Sequence, residues 1–378
     1  MRSAAAAFAV VALVAATAAG AAYKPSPLLR LDGGYRMTDG AVVSLAVTPD
    51  GGLLYTDTRT GDLRQLRPAG TGRFRFGPAY LVQSPVRGTI VVRGSRISIT
   101  TGGRARTGTR VPVTRTRVSF RGQGVRIVGK VTSPGTPGRH PALAIVHGSE
   151  AADRDGSDLL VNFYSALGFV VLSYDKRGVG DSTGFYVERA TAANIDNLAG
   201  DAVGALRVLG ARRDVDPGRL GLVGGSQAGW IIPRAAAKSP LVRFAVITAG
   251  PAVSVGEQEA YAGITAQGAL APPPADAEIQ KQLEGVAPSG YDPRPDLQRL
   301  SIPTLWLYGR EDKTVYAPQS VAVLEALPAK PAIRVFPGAG HFLLDTPHGL
   351  SAEIPRAHRF ATGFFPAISE WLASLPAS

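Results

Sequence analysis

The chain has 378 residues, 45% hydrophobic and 19% charged, a balance that excludes a disordered chain and allows two or three domains. It has no cysteine, which removes disulfides, thiolate metal sites, iron–sulfur clusters and a cysteine nucleophile. Only five histidines are present, so a multi-histidine metal centre is not expected; 41 Lys+Arg against 29 Asp+Glu give a formal charge of +12.

Residues 1–22 have the three parts of an export signal: the positive charge of Arg2, an alanine- and valine-rich run from Ala4 to Ala19, and the small residues Ala19-Gly20-Ala21-Ala22. Cleavage after Ala21 or Ala22 is expected, the alternative being an uncleaved anchor, and the mature protein is expected to be secreted or associated with the cell envelope. Residues 23–115 then read as a small antiparallel β domain. Short alternating runs (41–47, 53–57, 73–76, 88–92, 96–100 and 115–120) are separated by turn signals at Asp39-Gly40, Asp50-Gly51 and Gly61-Asp62. Residues 23–120 hold sixteen basic and five acidic residues, a net of +11. Two readings follow: a surface for an anionic cell-wall polymer, or a solvated, arginine-biased β surface. No nucleic-acid partner is expected. The segment is too short for a multi-bladed propeller, whose blades take ~40–45 residues each.

From residue 116 to 378 the rhythm changes. A hairpin is predicted over 118–131 with its turn at Gln123-Gly124. Uniformly apolar strands at 142–146, 169–174, 220–223, 244–248, 304–308 and 333–336 then alternate with helical spacing, as at Leu198, Ala202, Ala205, Leu206 and Leu209. Strands apolar on both faces belong inside a parallel sheet, whose ligands bind beyond the strands' carboxyl ends.

Three such ends carry chemistry. After the strand ending at Val223 comes Gly224-Gly225-Ser226-Gln227-Ala228-Gly229, a serine on a tight strand-to-helix turn flanked by the small residues such a turn requires. A serine hydroxyl needs a base to become nucleophilic, and the base needs an acid to orient it. His341, in Pro337-Gly338-Ala339-Gly340-His341, is the candidate base. Asp312 is preferred to its neighbour Glu311 as the acid, while His147, His348 and His358 are read as structural or surface residues, His358 within a helix. Two backbone amides would receive the oxyanion, that of Gln227 and that of Ser149 or Glu150, in the loop His147-Gly148-Ser149-Glu150. No cofactor or metal is called for. Residues 250–300 are longer than a simple connection and read as a lid-like insertion or a surface excursion. Trp230, Tyr261 and Tyr291 are candidate pocket walls, and Pro233 is expected to kink the helix after the serine.

The order serine, acid, histidine, with a His-Gly loop upstream and Asp175-Lys176-Arg177-Gly178-Val179-Gly180-Asp181-Ser182 after a strand, resembles the α/β-hydrolase superfamily over about residues 118–378. Details resemble a branch of bacterial esterases related to dienelactone-hydrolase-like and serine-aminopeptidase-like enzymes and to acyl-CoA thioesterases. Many of that branch carry glycine where this chain has Glu150 and Ala228. The resemblance implies an α/β-hydrolase fold with a mostly parallel sheet, Ser226 as nucleophile, Asp312 as acid and His341 as base. The expected activity is cleavage of carboxylic esters. A peptidase on the same triad, a thioesterase, and a cell-envelope binding protein with a vestigial hydrolase domain are the alternatives.

Overall fold

The computed structural model describes residues 27–48 and 50–376; the export signal expected at residues 1–22 lies outside them. Eight antiparallel strands come first: β1 (Gly33–Met37), β2 (Val42–Val47), β3 (Leu53–Asp57), β4 (Leu63–Pro68), β5 (Arg73–Phe76), β6 (Gly88–Arg93), β7 (Arg96–Thr101) and β8 (Arg104–Arg110). Each pairs with the next, and β1 pairs back with β8 through Tyr35 and Arg110, closing a barrel. Alternate side chains fill it: Tyr35, Val43, Leu45, Leu53, Tyr55, Ile90 and Ile97 are all buried inside. Sequence patterning missed β1, β4 and β8, which carry few apolar residues; β8 reads Arg-Ala-Arg-Thr-Gly-Thr-Arg and turns only a glycine fully inward.

The second sheet has eight strands in the order β16-β15-β14-β13-β11-β12-β10-β9. The hairpin β9 (Val113–Arg121) and β10 (Arg126–Pro134) is antiparallel and turns where expected, with Gly124 at φ +76°. The run at 115–120 therefore belongs to this sheet and not to the barrel. The remaining strands, β11 (His140–Val146), β12 (Val170–Tyr174), β13 (Val215–Gly225), β14 (Phe244–Thr248), β15 (Thr304–Gly309) and β16 (Ala332–Phe336), run parallel to one another. The apolar runs of β11 to β15 are explained by cover on both faces, while β16, at the sheet edge, is partly exposed along its length. Helices α2 (Ala192–Gly210) and α3 (Ala228–Lys238) pack on one face; α1 (Asp158–Ala166), near the start of this unit, and the C-terminal helix α8 (Phe364–Ser374) pack on the other. Residues 250–300 form α4 (Val255–Ile264), α5 (Asp276–Leu283) and α6 (Arg294–Gln298), and α7 (Ala317–Glu325) follows β15. Helix α4 starts with a capping box: the Ser254 hydroxyl accepts the Glu257 amide and the Glu257 carboxylate accepts the Ser254 amide. Helix α3 runs from Ala228 to Lys238 through Pro233 without a break.

The barrel rests on the α1/α8 face and is joined to it twice. At the first junction the buried Asn162 side chain of α1 donates to Leu45 O (3.1 Å), Ser44 Oγ (3.3 Å) and Asp32 Oδ1 (3.4 Å), and Asp32 is also paired with Arg115 at 2.7 Å. At the second, the β3–β4 hairpin is sewn to residues 355–360 by backbone bonds. Leu63 N donates to His358 O (3.0 Å), Phe360 N to Gly61 O (2.8 Å) and Tyr80 N to Ala357 O (2.7 Å). Gly61 is required here, since a Cβ would sit 2.7 Å from the Phe360 carbonyl oxygen and the residue lies at φ +79°. His358 is thus part of an extended seam after a 3-10 turn, not of a helix, because its carbonyl serves the barrel.

Replacing Asn162 by leucine leaves the Leu45 carbonyl and Asp32 short of a donor inside the first junction. A loss of about 1–3 kcal/mol is expected, read as a lowered urea midpoint with an unchanged slope; an unchanged midpoint would show that the junction does not stabilise the chain.

Candidate active site

Strand β13 ends where helix α3 begins, and the chain turns at Ser226 with φ +54°, a left-handed conformation that a non-glycine residue adopts only under constraint. The constraint is local. Ser226 N donates to Thr248 O at the end of β14 (2.9 Å), and Ser226 O accepts from Gly229 N (2.8 Å). A Cβ on Gly224 would meet the Val146 carbonyl at 2.4 Å and the Ala228 methyl at 2.6 Å; one on Gly229 would meet Gly250 at 2.6 Å. Alanine at 228 therefore fits only because 224 is glycine, and the close approach of the β14 loop falls on Gly229.

The loop after β15 places Asp312, whose carboxylate is wholly buried, 2.9 Å from His341 Nδ1 through Oδ2. Its other oxygen, Oδ1, accepts the amides of Thr314 (2.7 Å) and Val315 (2.8 Å). With Nδ1 bonded to the acid, Nε2 is the ring atom left to act as a base. His341 and Ser226 line the same cavity, while Glu311 makes no bond to His341. Helix α4 holds this acid loop from above: Tyr261 Oη donates to Asp312 O (2.6 Å), Thr265 Oγ1 to Lys313 O (2.5 Å), and Gln258 Nε2 to Thr314 O. Tyr261, expected as a pocket wall, is instead a clamp on the acid loop and stacks on Tyr316. Tyr291 bonds Asp296, and Trp230 does line the space beside Ser226.

Ser149, in the loop after β11, lines the same space as Ser226 and Gln227. Glu150 takes the Gly148 amide on its own carboxylate at 3.2 Å, so that amide is already engaged. His147 is buried, bonds the Tyr174 carbonyl, and is pushed down from its ordinary value by desolvation; it is a neutral structural group. His348 pairs with Glu353 at the surface.

Sequence reasoning missed the groups that hold this loop. Lys176, 1% exposed, donates from Nζ to Gly148 O (2.7 Å), Glu150 O (3.1 Å) and Gln227 Oε1 (3.4 Å), while Tyr186 Oη donates to Ser149 O (2.6 Å). One ammonium thus ties both expected oxyanion segments together. Its place in the turn after β12 was the only signal. That turn is fixed in its own right by Arg177, which grips Asp201 through two bonds of 2.8 and 2.9 Å. Burial pushes the Lys176 ammonium down to about 8, the nearby Glu150 charge opposing the shift.

Ser226 lines two separate spaces. The first, the less open of the two, is an apolar cavity of about 180 Å³ between the sheet and helices α1 and α8. The second is more open, about 440 Å³, and its border includes the polar and charged groups of Glu188, Arg189, Gln258 and Glu259. The insertion at 250–300 thus covers one side of the serine through α4.

The family model described as the prolyl oligopeptidase family matches residues 157–365, just over half of the chain and all three of Ser226, Asp312 and His341. The chain belongs to that family. It is a serine hydrolase of the α/β-hydrolase superfamily, and the reading as a vestigial binding protein is set aside. Among solved structures, an esterase from Pyrococcus furiosus is 16% identical, with 69% of this chain and 91% of that one covered and a TM-score of 0.49. An acetyl xylan esterase from Paenibacillus sp. R4 is 19% identical over 61% of this chain and 83% of that one, with a TM-score of 0.45. A 2,6-dihydroxy-pseudo-oxynicotine hydrolase is 18% identical over 69% and 67%, with a TM-score of 0.47.

The lysine tether of this serine hydrolase has a pH signature. Between about pH 8 and the ordinary lysine value of 10.5 the folded chain has lost a proton that the unfolded chain still holds, so this group's contribution to stability rises with pH there. Over the same interval the neutral amine has two N–H groups for three acceptors, and kcat/KM is expected to fall above about pH 8. Lys176→Met should lower kcat by about 10–100-fold and abolish that alkaline fall. A variant profile that keeps the same limb would show that Lys176 is not its source.

Proposed function

We propose that this serine hydrolase cleaves carboxylic esters through an acyl-enzyme. The observation that carries the reading is the 2.9 Å Asp312–His341 pair on the wall of the cavity that Ser226 lines. Ser226 Oγ attacks the acyl carbon as His341 Nε2 takes its proton, and the carbonyl electrons move onto oxygen facing the amides of Gln227 and Ser149. The tetrahedral intermediate collapses, the C–O bond breaks, and His341 returns the proton to the leaving alcohol. Water, deprotonated by the same imidazole, then releases the acid. Asp312 keeps the ring in the required tautomer and offsets the imidazolium charge.

Purified protein should hydrolyse short p-nitrophenyl esters. Ser226→Ala and Asp312→Asn should each lower kcat by about 10⁴-fold or more, with the far-ultraviolet circular dichroism unchanged. Full activity in folded Ser226→Ala would remove the nucleophile assignment. A second reading, a peptidase, is favoured by the family match and by the carboxylates Glu188 and Glu259 beside Ser226, which suit a substrate amine. Faster turnover of aminoacyl-nitroanilides than of esters would select it.

We also propose that the chain is exported and that its barrel contacts an anionic cell-wall polymer. Support comes from the pattern of residues 1–22 and from a run of outward arginines over β4–β7. Arg67 faces Arg75 and Arg93 faces Arg96 across the ladder, and none of these four, nor Arg73, has an acidic partner among the described residues. Like charges directly opposite are unfavourable unless a polyanion neutralises them. Changing Arg67, Arg75, Arg93 and Arg96 to serine in the full chain should lower the salt needed for elution from isolated cell walls; unchanged retention would refute the contact.

A further inference from the structure

Strand β3 is unlike a normal strand of a barrel. It is buried along its whole length, with Leu53 and Tyr55 turned into the barrel while Leu54, between them, joins the core under the hydrolase sheet. On β4 Leu66 points inward and Leu63 outward in the same way, and Tyr80, in the segment after β5, joins them. An antiparallel strand apolar on both faces has its outer face covered. Here the cover is the apolar cavity of Ser226 and His341, which Leu54, Leu63 and Tyr80 help to line.

We propose that these three barrel residues form a wall of the acyl pocket and set the size of the apolar acyl group accepted at Ser226. The inference rests on the reading of the site as an ester hydrolase and names its substrate class: esters of an apolar acid and a polar alcohol. The volume, about 180 Å³, bounds the acyl group. An apolar cavity of ~150 Å³ stays dry and accepts benzene, so a group of about six carbons fits. The two spaces beside the serine divide the substrate. The alcohol must leave and water must enter before the acyl-enzyme can be hydrolysed, and the more open space, bordered by Glu188, Arg189 and Glu259, suits both. The acyl group remains through both steps, so the less open, apolar space suits it.

The experiment measures kcat/KM of the full chain for p-nitrophenyl acetate, butanoate, hexanoate and decanoate, and for acetate esters of alcohols of the same lengths. Wild type should peak near hexanoate in the acyl series and show no such peak in the alcohol series. Tyr80→Ala, which deepens the cavity, should raise the decanoate-to-butanoate ratio by at least ~10-fold. Leu63→Phe, which shortens it, should move the optimum to butanoate or acetate. Ratios unchanged in both variants, with melting curves matching wild type, would overturn the wall assignment; a size optimum in the alcohol series would overturn the acyl assignment. Absence of all ester turnover would sink the ester reading instead. The wall is then read from labelling of Ser226 by alkyl fluorophosphonates, whose chain-length preference should shift in Tyr80→Ala; an unchanged preference overturns it.

Discussion

A fully buried carboxylate is the constraint on which the site depends. Left alone, the Asp312 charge would cost several kcal/mol in such surroundings. Two backbone amides on one oxygen and the His341 ring on the other make it tolerable. That arrangement fixes the loop after β15, and the loop in turn needs helix α4, whose Tyr261, Gln258 and Thr265 bond its carbonyls. The insertion between β14 and β15 is thus the outer brace of the acid.

On the other side of the serine a cation does the corresponding work. Lys176 brings no group to the substrate, yet its three acceptors lie on the two segments proposed to receive the oxyanion. A buried ammonium opposite carbonyl dipoles is costly in itself. It holds the loop in one geometry while Glu150 supplies a compensating charge. The departure from glycine at position 150 has its counterpart in this lysine.

Much of the hydrolase unit was legible because its chemistry is local. A parallel strand buried on both faces must be apolar throughout, so β11 to β15 stood out, and a strand end marked Ser226, Asp312 and His341. The barrel was legible only as a set of hairpins. Its closure depends on β1 meeting β8, a pairing some seventy residues apart in sequence that no turn signal announces. Lys176 was illegible for a different reason: lysines are rarely buried, and nothing in the Asp175-Lys176-Arg177-Gly178 run says that its second residue turns inward. Leu54 gave a signal that could have been used, since Leu53-Leu54-Tyr55 breaks the alternation expected of a barrel strand with one wet face.

The seam between the β3–β4 hairpin and residues 355–360 bears on motion as well as on shape. Leu344 pairs with Phe360, and Ala361 N donates to Leu343 O at 2.6 Å, so the histidine's own loop is laced to the strip that the hairpin holds. Displacing the backbone of that loop would break bonds in both units at once. The base and the barrel are thus held together on one side of the serine, across from the side where α4 borders the more open space.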